Sequence, residues 1–417
     1  MLIEFSVTNY RSIRKVQTLS MAASKYDKEL AETNCTETPV VGLPKLLNST
    51  VIYGPNAAGK SNLLKALGFM KNFVLLSHSY QEGAMINVSA FALAGDTKEE
   101  PSEFEIYFIQ DGIRYQFGFA VNRTRVTREW LYTYPKGRVK TLYERTFNPK
   151  TDENELHYPS LTGPKDLWKK STRKNALFLS TAIHWNSEQL KPVFNWFQNK
   201  LAVILPGGEI NPRFSINQCS SDEGKQNIME FMNAADISIA GIELQKVVLT
   251  HDLLPQDMPQ TIKEQIVKDG LSLVRFQHKS DTGELLSLDL AEESDGTQKL
   301  FSYAGPLLDV LEKGRILVVD ELDTSLHPLM VRFLISLFHN PSVNKHKAQL
   351  VFTTHDTSVL DPELYRRDQI WFIEKGKDQS SRVYPLSDFS PRKGEALEKN
   401  YLNGRYGALP FIGELRF

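Results

Sequence analysis

One short run of this sequence has the residue types and spacing needed to hold phosphate groups. Residues 54–61 read Gly-Pro-Asn-Ala-Ala-Gly-Lys-Ser and fit the pattern G-x-x-x-x-G-K-[ST] directly after an apolar stretch, 49–53. In such a loop backbone N–H groups face the phosphates, the lysine reaches the β- and γ-phosphates, and the serine hydroxyl binds Mg²⁺ at a helix N-terminus. The alternative is a glycine-rich turn between a strand and a helix. The apolar spacing of 62–72 after the loop favours the nucleotide site.

The candidate nucleotide-binding residues in this run are Gly54, Asn56, Ala57, Ala58, Gly59, Lys60, Ser61 and Asn62. Ser61 is also a candidate metal ligand.

Two adjacent carboxylates form the second candidate element. The run 315–321, Arg-Ile-Leu-Val-Val-Asp-Glu, is typical of a buried parallel strand that ends at an active-site edge. We expect Asp320 to hold Mg²⁺ through its water shell and Glu321 to polarise the attacking water as general base. The alternative is an acidic pair that only ends a strand and caps the next helix.

Two further segments carry polar residues next to apolar periodicity. Residues 294–298, Ser-Asp-Gly-Thr-Gln, precede a predicted helix, and a β run over 350–354 stops at His355. Taken singly, a Ser-Asp-Gly run is typical of a turn, and a histidine at a strand end is typical of a structural residue.

In their order along the chain, which is the loop at 54–61, the run at 294–298, the acids at 320–321 and then His355, the four segments resemble the ABC ATPases, specifically the SMC, Rad50 and RecF-like branch. The resemblance implies that Ser294, Gly296 and Gln298 belong to the signature motif, that Asp323 is the D-loop aspartate, and that His355 is a switch histidine at the γ-phosphate. It also implies ATP and Mg²⁺ as cofactors. In that family the signature motif of one subunit completes the ATP site of another, so we expect an ATP-sandwich dimer or a higher homo-oligomer.

The N-terminal strand pattern, followed by Asn9-Tyr10-Arg11, is similar to the opening of SMC and RecF-type heads, whose basic residue approaches the nucleotide. Arg11 is therefore a candidate nucleotide contact, with a solvated charge at a strand end as the alternative. Ala57 stands where many family members carry glycine, and the signature differs from L-S-G-G-Q. Both departures favour an ATPase over a transporter engine.

A narrower resemblance is to small bacterial AAA-like ABC-type ATPases, including RloA and the ATPase subunit of the PARIS anti-phage system. Residues 293–298, 320–328 and 401–407 carry it. It implies control of a separately encoded effector, a nuclease or toxin, in anti-phage defence. The related OLD nucleases add a Toprim domain, for which the roughly sixty residues after His355 are too few. A RecF-like DNA repair ATPase and an inactive interaction scaffold are the alternatives.

A local excess of basic residues is compatible with a nucleic-acid partner. The net charge is −1 and the pI is about 6.8, so the whole chain has no pull toward DNA. Between Arg114 and Lys174, however, fourteen Lys or Arg stand against six Asp or Glu, interleaved with aromatic residues. Such a surface could track phosphates and stack bases of DNA or of a phage-derived trigger. The alternative is an ordinary solvated face of a β meander.

The fold predicted is α/β, an ABC-ATPase head. Residues 1–145 should form a first lobe with a β meander, whose strands are predicted over 103–109, 113–121, 126–134 and 139–143, with Asp-Gly at 111–112 as a hairpin signal. Residues 146–285 should form a mainly helical insertion without a long coiled coil, with helices over 189–201, 222–234 and 259–269 and a Pro-Gly-Gly break after residue 205. Residues 286–417 should form a second lobe with a parallel sheet and a docked C-terminal segment. The two cysteines, Cys35 and Cys219, match no metal or redox spacing, and no long apolar run is present. We therefore expect a cytoplasmic protein.

Overall fold

The computed structural model describes residues 1–205, 211–247, 258–260, 263–264, 267 and 271–410. The chain divides into two compact units. The first unit consists of Met1–Gly207, Leu311–Asp323 and Leu334–Phe417, and the second of Gly208–Val310 and Thr324–Phe333. The helix expected over 259–269 and the Pro-Gly-Gly break after residue 205 lie largely outside the described residues.

The strands are β1 (Leu2–Thr8), β2 (Gln17–Ser20), β3 (Cys35–Glu37), β4 (Lys45–Leu47), β5 (Ser49–Tyr53), β6 (Ser102–Gln110), β7 (Ile113–Val121), β8 (Val126–Tyr134), β9 (Lys140–Asn148), β10 (Glu153–His157), β11 (Leu201–Ile204), β12 (Gly241–Val247), β13 (Leu271–Lys279), β14 (Leu285–Asp289), β15 (Ile316–Val319), β16 (Gln349–Thr353), β17 (Ile370–Lys375) and β18 (Ser381–Pro385). The helices are α1 (Lys60–Leu76), α2 (Lys165–Ser171), α3 (Phe178–His184), α4 (Lys191–Asn195), α5 (Arg213–Gln218), α6 (Asp222–Ala234), α7 (Asp295–Lys313), α8 (Pro328–His339) and α9 (Leu397–Leu402).

A mostly parallel sheet in the first unit brings the predicted motifs to one edge. Its strand order is β11-β15-β16-β5-β17-β18, with β18 antiparallel to β17. Strands β5, β15 and β16 are buried along their whole length, as parallel strands covered on both faces are. Their carboxyl ends meet at the same edge, where open α/β sheets bind ligands. The α/β class is confirmed.

A second, antiparallel sheet in the same unit has the order β10-β9-β8-β7-β6-β1-β2. The strands expected over 103–109, 113–121, 126–134 and 139–143 correspond to β6, β7, β8 and β9. Between β6 and β7, Asp111 and Gly112 have φ angles of 52° and 75°. Positive φ at both central residues is the type I′ hairpin that the Asp-Gly pair predicts.

One buried side chain joins the two sheets. The Gln349 amide accepts a hydrogen bond from the Leu2 N–H (2.6 Å) and donates to the carbonyls of Leu2 and Leu47 (3.1 Å each). Gln349 is fully buried, so its amide and the backbone groups of Leu2 and Leu47 rely on these three hydrogen bonds. Helix α1 packs on the same core through Leu63, Leu67 and other apolar residues.

The second unit contains α5, α6, most of α7 and a three-stranded sheet of order β12-β13-β14. The Ser215 hydroxyl donates to the Phe301 carbonyl (2.6 Å) and accepts from the Gly305 N–H (3.0 Å), which ties α5 to α7. Helix α6 runs over the residues predicted for it, 222–234. Its N-terminus is capped by the Ser221 side chain, which accepts from the Gly224 N–H.

The boundaries of the units differ from those expected at residues 145 and 285. Strand β9 runs to Asn148, β10 extends the antiparallel sheet, and β11 adds a strand to the parallel sheet. The segment expected to be a helix over 189–201 consists of α4, one π turn over Trp196–Lys200 and the start of β11. Four apolar residues are too few to show a period, so the partner strand, not the local pattern, decides that β11 is extended. Across the described residues, no helix combines the length and apolar character that crossing a membrane requires.

Candidate functional site

The phosphate loop connects β5 to α1 and is held in left-handed backbone conformations. Gly59, the residue before α1, has a φ of 112°, and Ala57 has a φ of 63°. For alanine this conformation costs about 1–2 kcal/mol, so the surrounding structure must stabilise it. The loop residues 55–62 line a cavity of about 220 Å³ together with Glu321 and His355. The predicted loop, general base and switch histidine therefore share one site.

Lys60 lies at the centre of this cavity. Its ammonium group donates to the Gly54 carbonyl (2.6 Å) and lies 3.5 Å from His355 Nδ1. Burial lowers the pKa of Lys60, and three neighbouring carboxylates oppose that shift. These carboxylates are those of Asp320, Glu321 and Asp323.

The Asp320 carboxylate is buried at the end of β15. Its Oδ1 accepts a hydrogen bond from the Thr353 hydroxyl at the end of β16, and its buried Oδ2 has no hydrogen-bond partner among the residues that the structure describes. A buried carboxylate oxygen without a donor is costly unless a cation or water satisfies it. This oxygen, with the Ser61 hydroxyl lining the adjacent cavity, fits the oxygen ligands that Mg²⁺ prefers.

Glu321 occupies a strained backbone position next to that carboxylate. Its φ is 52°, and its N–H donates to the Thr353 hydroxyl (2.8 Å). Its Oε1 lies 3.8 Å from His355 Nε2. The two adjacent acids differ in exposure, since Asp320 is buried and Glu321 is partly exposed at the cavity.

Hydrogen bonds tie the turn after β15 to the end of β16. The Leu322 N–H donates to the Thr353 carbonyl (3.1 Å), and the His355 N–H donates to Asp323 Oδ2 (3.2 Å). Asp323 therefore positions the backbone of the histidine. The other Asp323 oxygen, Oδ1, is buried, and no described residue forms a hydrogen bond with it.

Arg11 lies outside the lining of the cavity. Its guanidinium Nε donates to the Tyr10 hydroxyl (3.1 Å), and the side chain is exposed. The next residue, Ser12, does contact the loop, because its hydroxyl accepts from Asn62 Nδ2 (2.8 Å). The N-terminal turn therefore contacts the phosphate loop through Ser12, which was not among the residues predicted from the sequence.

The predicted signature residues lie in the second unit, at the N-terminus of α7. The Ser294 hydroxyl accepts from the Thr297 N–H (3.2 Å), and Gln298 Nε2 donates to the Glu293 carbonyl (2.8 Å). Ser294 is thus a helix cap in this structure. A Cβ added to Gly296 would meet only ordinary contacts, so packing does not require glycine there. Contact of these residues with a nucleotide stays a prediction.

The C-terminal segment, for which the sequence predicted a docked position without saying where, lies beside the phosphate loop. The rings of Tyr401 and Tyr406 stack on Phe372 of β17 at 5.3 and 5.8 Å, and the Ala408 N–H donates to Glu374 (3.1 Å). Residues of this segment line a second cavity, of about 470 Å³, which also includes loop residues 54–56 and His355.

Several residues of the basic region between 114 and 174 have partners within the protein, although most of its Lys and Arg side chains are exposed. Arg145 is buried and lies 3.5 Å from the buried Glu129, and Arg125 stacks on Phe147 and pairs with Asp152. The aromatic Trp168 is buried too, so it cannot stack on a base. These contacts withdraw Arg145, Arg125 and Trp168 from a nucleic-acid surface. Binding of nucleic acid by the other basic residues of the segment stays a prediction.

Sequence reasoning missed three hydroxyl residues that support the site. Thr353 ends the apolar run of β16, Ser12 follows Arg11, and Ser381 begins β18. Only for Thr353 does the sequence carry a signal, because a hydroxyl next to the strand end must lie beside the carboxylates of a parallel neighbour.

Comparison with known proteins places the site in a family. A family model described as "AAA domain, putative AbiEii toxin, Type IV TA system" matches residues 49–160 and 226–361, more than half of the chain. The chain belongs to this family. The matched residues of this AAA-domain family include the phosphate loop, both acids and His355, so the predicted ATPase-type, nucleotide-binding domain agrees with the family assignment. No curated protein matches the chain.

Three solved structures of SMC head domains resemble the chain. A head bound to the C-terminal winged-helix domain of ScpA is 14% identical (TM-score 0.42) and covers 92% of this chain and 97% of its own. A head from Thermotoga maritima is 13% identical (TM-score 0.43) and covers 92% of this chain and 98% of its own. A head with an extended coiled coil, bound to the C-terminal domain of ScpA and derived from Pyrococcus furiosus, is 12% identical (TM-score 0.41) and covers 92% of this chain and 96% of its own. At these scores the likeness carries no argument about function.

Proposed function

We propose that this protein is a Mg²⁺-dependent, cytoplasmic ATPase whose nucleotide state controls its assembly and, through that, a separate effector in anti-phage defence. The observation that carries the ATPase part is the single cavity shared by the phosphate loop, Glu321 and His355, with Lys60 at its centre. A buried Asp320 oxygen, which no donor in the described part of the chain reaches, stands beside it. This is the set of groups that phosphoryl transfer to water needs.

Each group has a separate role in this proposal. Lys60 neutralises charge on the β- and γ-phosphates, and the loop N–H groups orient them. Glu321 accepts the proton of the attacking water, and His355, 3.8 Å from it, holds the far side of the γ-phosphate. Asp320 and Ser61 would hold Mg²⁺, which when bound neutralises charge that develops between the β- and γ-phosphates.

The proposal on assembly rests on the signature residues. Ser294, Gly296 and Gln298 lie in a different unit from the phosphate loop, at the N-terminus of a helix of nineteen residues. A helix N-terminus favours an anion. We propose that it meets the γ-phosphate held by a second copy, so that two copies close on two ATP molecules and hydrolysis opens them.

The proposal of an effector is supported by the family description, which names a toxin and a toxin–antitoxin system. The motifs of this chain also resemble those of defence ATPases that act beside a nuclease or toxin. The DNA-repair alternative receives less support, because several of the basic side chains between 114 and 174 already have partners.

The decisive experiment compares three purified proteins for phosphate release and for mass in solution with and without MgATP. We expect the wild type to hydrolyse ATP, Glu321→Gln to lose hydrolysis and accumulate as a dimer or larger assembly, and Lys60→Ala to bind no nucleotide. Glu363→Gln, an exposed glutamate that does not line the cavity, is the matched control and should behave as the wild type. Normal hydrolysis by Glu321→Gln would show that the role assigned to it is wrong.

The effector part is tested by recovering Glu321→Gln from its native host with MgATP and identifying bound protein and nucleic acid by mass spectrometry. A nuclease or toxin encoded beside this chain, and lost with Lys60→Ala, would support the proposal. Recovery of DNA alone, through ATP-dependent binding, would favour the repair alternative.

A further inference from the structure

A chain of hydrogen bonds leaves the phosphate loop, passes through two serine side chains and returns to the loop. Asn62 Nδ2 donates to Ser12 Oγ (2.8 Å), the hydroxyl oxygens of Ser12 and Ser381 are 2.7 Å apart, and Ser381 Oγ donates to the Ala58 carbonyl (2.6 Å). A carbonyl only accepts and an amide NH₂ only donates, so the order of donors along the chain is set. Its two ends, Ala58 and Asn62, flank residues 59–61, which carry the phosphate-binding groups.

The two serines come from distant parts of the chain. Contacts outside the phosphate loop hold them next to each other. The Ser381 N–H donates to the Ser12 carbonyl (2.7 Å), and Arg14 lies 3.5 Å from Asp378 in the turn that precedes β18. Ser381 is only 2% exposed. A buried hydroxyl with one fixed geometry restrains its partners more than an exposed one does, because water does not compete for its hydrogen bonds.

The loop packs directly against these hydroxyls. A Cβ built on Gly59 would lie 2.1 Å from Ser381 Oγ and 2.7 Å from Ser12 Oγ, so no side chain fits between the loop and the serines. The Ala58–Gly59 peptide is planar and trans, and its C=O and N–H therefore point in opposite directions. Anchoring the Ala58 carbonyl on Ser381 turns the Gly59 N–H away from the serines, which is the direction a phosphate donor needs.

We propose that Ser12 and Ser381 are positioning residues that set the orientation of the phosphate-loop N–H groups, and so determine nucleotide affinity without touching the nucleotide. This inference rests on the proposed nucleotide site. It assigns a part in binding to Ser12 instead of the neighbouring Arg11 in the N-terminal turn, and to strand β18, for which the sequence predicted no such part.

The test measures binding of MgADP by calorimetry, because ADP binding does not depend on hydrolysis. For Ser381→Ala we expect an affinity weaker by about tenfold, and for Ser12→Ala by about fivefold, as the loss of about one buried hydrogen bond implies. Ser12→Ala keeps the buried Ser381 in place, so it remains informative if Ser381→Ala folds poorly. The matched control is Ser380→Ala, which removes a neighbouring hydroxyl bonded to Asp378 and should bind as the wild type.

Steady-state kinetics separate positioning from a general loss of structure. KM for ATP should rise with the MgADP dissociation constant while kcat stays within about twofold, because the carboxylates at β15 are untouched. An unchanged MgADP affinity in both folded variants, whatever their melting temperature, would overturn the inference. If the wild type itself binds no MgADP, the nucleotide site is wrong instead.

Discussion

The hydroxyl of Thr353 joins the two acids of the site, and its removal is the sharpest test of the geometry. It accepts from the Glu321 N–H (2.8 Å) and donates to Asp320 Oδ1. Thr353→Val keeps the shape of the side chain and removes only the hydroxyl. The Asp320 carboxylate, buried with Oδ2 already unpartnered, would then lose the donor that the described residues provide.

The expected cost follows from these two bonds. A hydrogen bond to a charged group contributes about 1.5–3 kcal/mol and a neutral one about 1 kcal/mol, so Thr353→Val should lower the free energy of unfolding by about 2–4 kcal/mol. Glu321 also loses the bond that helps to hold its φ of 52°. A catalytic group displaced by about 1 Å costs about 100-fold, so we expect kcat to fall between about 10- and 100-fold. The dissociation constant for MgADP should change little, because the phosphate loop is not altered.

Urea unfolding followed by circular dichroism measures the free energy of unfolding, and phosphate release at saturating MgATP measures kcat. Thr354→Val is the matched control: the neighbouring threonine is equally buried, and its hydroxyl accepts from the Asp356 N–H (3.0 Å) and has no bond to either acid among the described residues. It should cost about 1 kcal/mol and leave kcat within about twofold. Equal losses of stability and of kcat in the two variants would refute the special role of Thr353.

Three further predictions concern backbone, charge and pH. Gly59→Ala should abolish MgADP binding measured by calorimetry, because its φ is 112° and its Cβ would lie 2.1 Å from a serine hydroxyl. Arg145→Met should lower the free energy of unfolding in urea by about 3–5 kcal/mol, because it leaves the Glu129 carboxylate buried without its cation. Burial lowers the pKa of His339 to about 3. As the pH falls through about 6.5, this histidine is therefore protonated in the unfolded chain but stays neutral in the folded chain. Stability from this group is therefore complete above about pH 6.5 and falls by up to about 1.4 kcal/mol per pH unit toward pH 3.

The controls for these predictions come from the same chain. Gly83→Ala has a similar positive φ of 77° but open space around it, so nucleotide binding should survive that change. Replacing Glu129 and Arg145 together with Leu and Met should recover part of the loss, since no buried charge is then left unpaired. His339→Gln should flatten the stability profile between about pH 6.5 and pH 4. A variant profile as steep as the wild type's would remove His339 as the cause.

Much of the local structure could be predicted from residue patterns. The strands β6 to β9 alternate apolar and polar residues, and α6 shows a helical period, so their bounds could be placed to within a few residues. The short strand β11 could not, because four apolar residues fit a helix as well as a strand and only its pairing with β15 decides between them. The expected boundaries at 145 and 285 differ from those of the compact units, whose second unit takes in Gly208–Val310 and Thr324–Phe333.

The sequence by itself predicted which groups would do the chemistry. The loop at 54–61, the acids after β15 and the histidine after β16 are each local patterns, and parallel strands bring their ends to one edge. Only the tertiary structure decided what holds those groups: Ser12, Thr353 and Ser381 come from remote segments, and no local spacing links them to the loop or the acids. It also decided that several basic side chains in 114–174 have partners within the protein. The reason is physical, since a hydrogen bond or ion pair depends on distance in space, which separation along the chain does not specify.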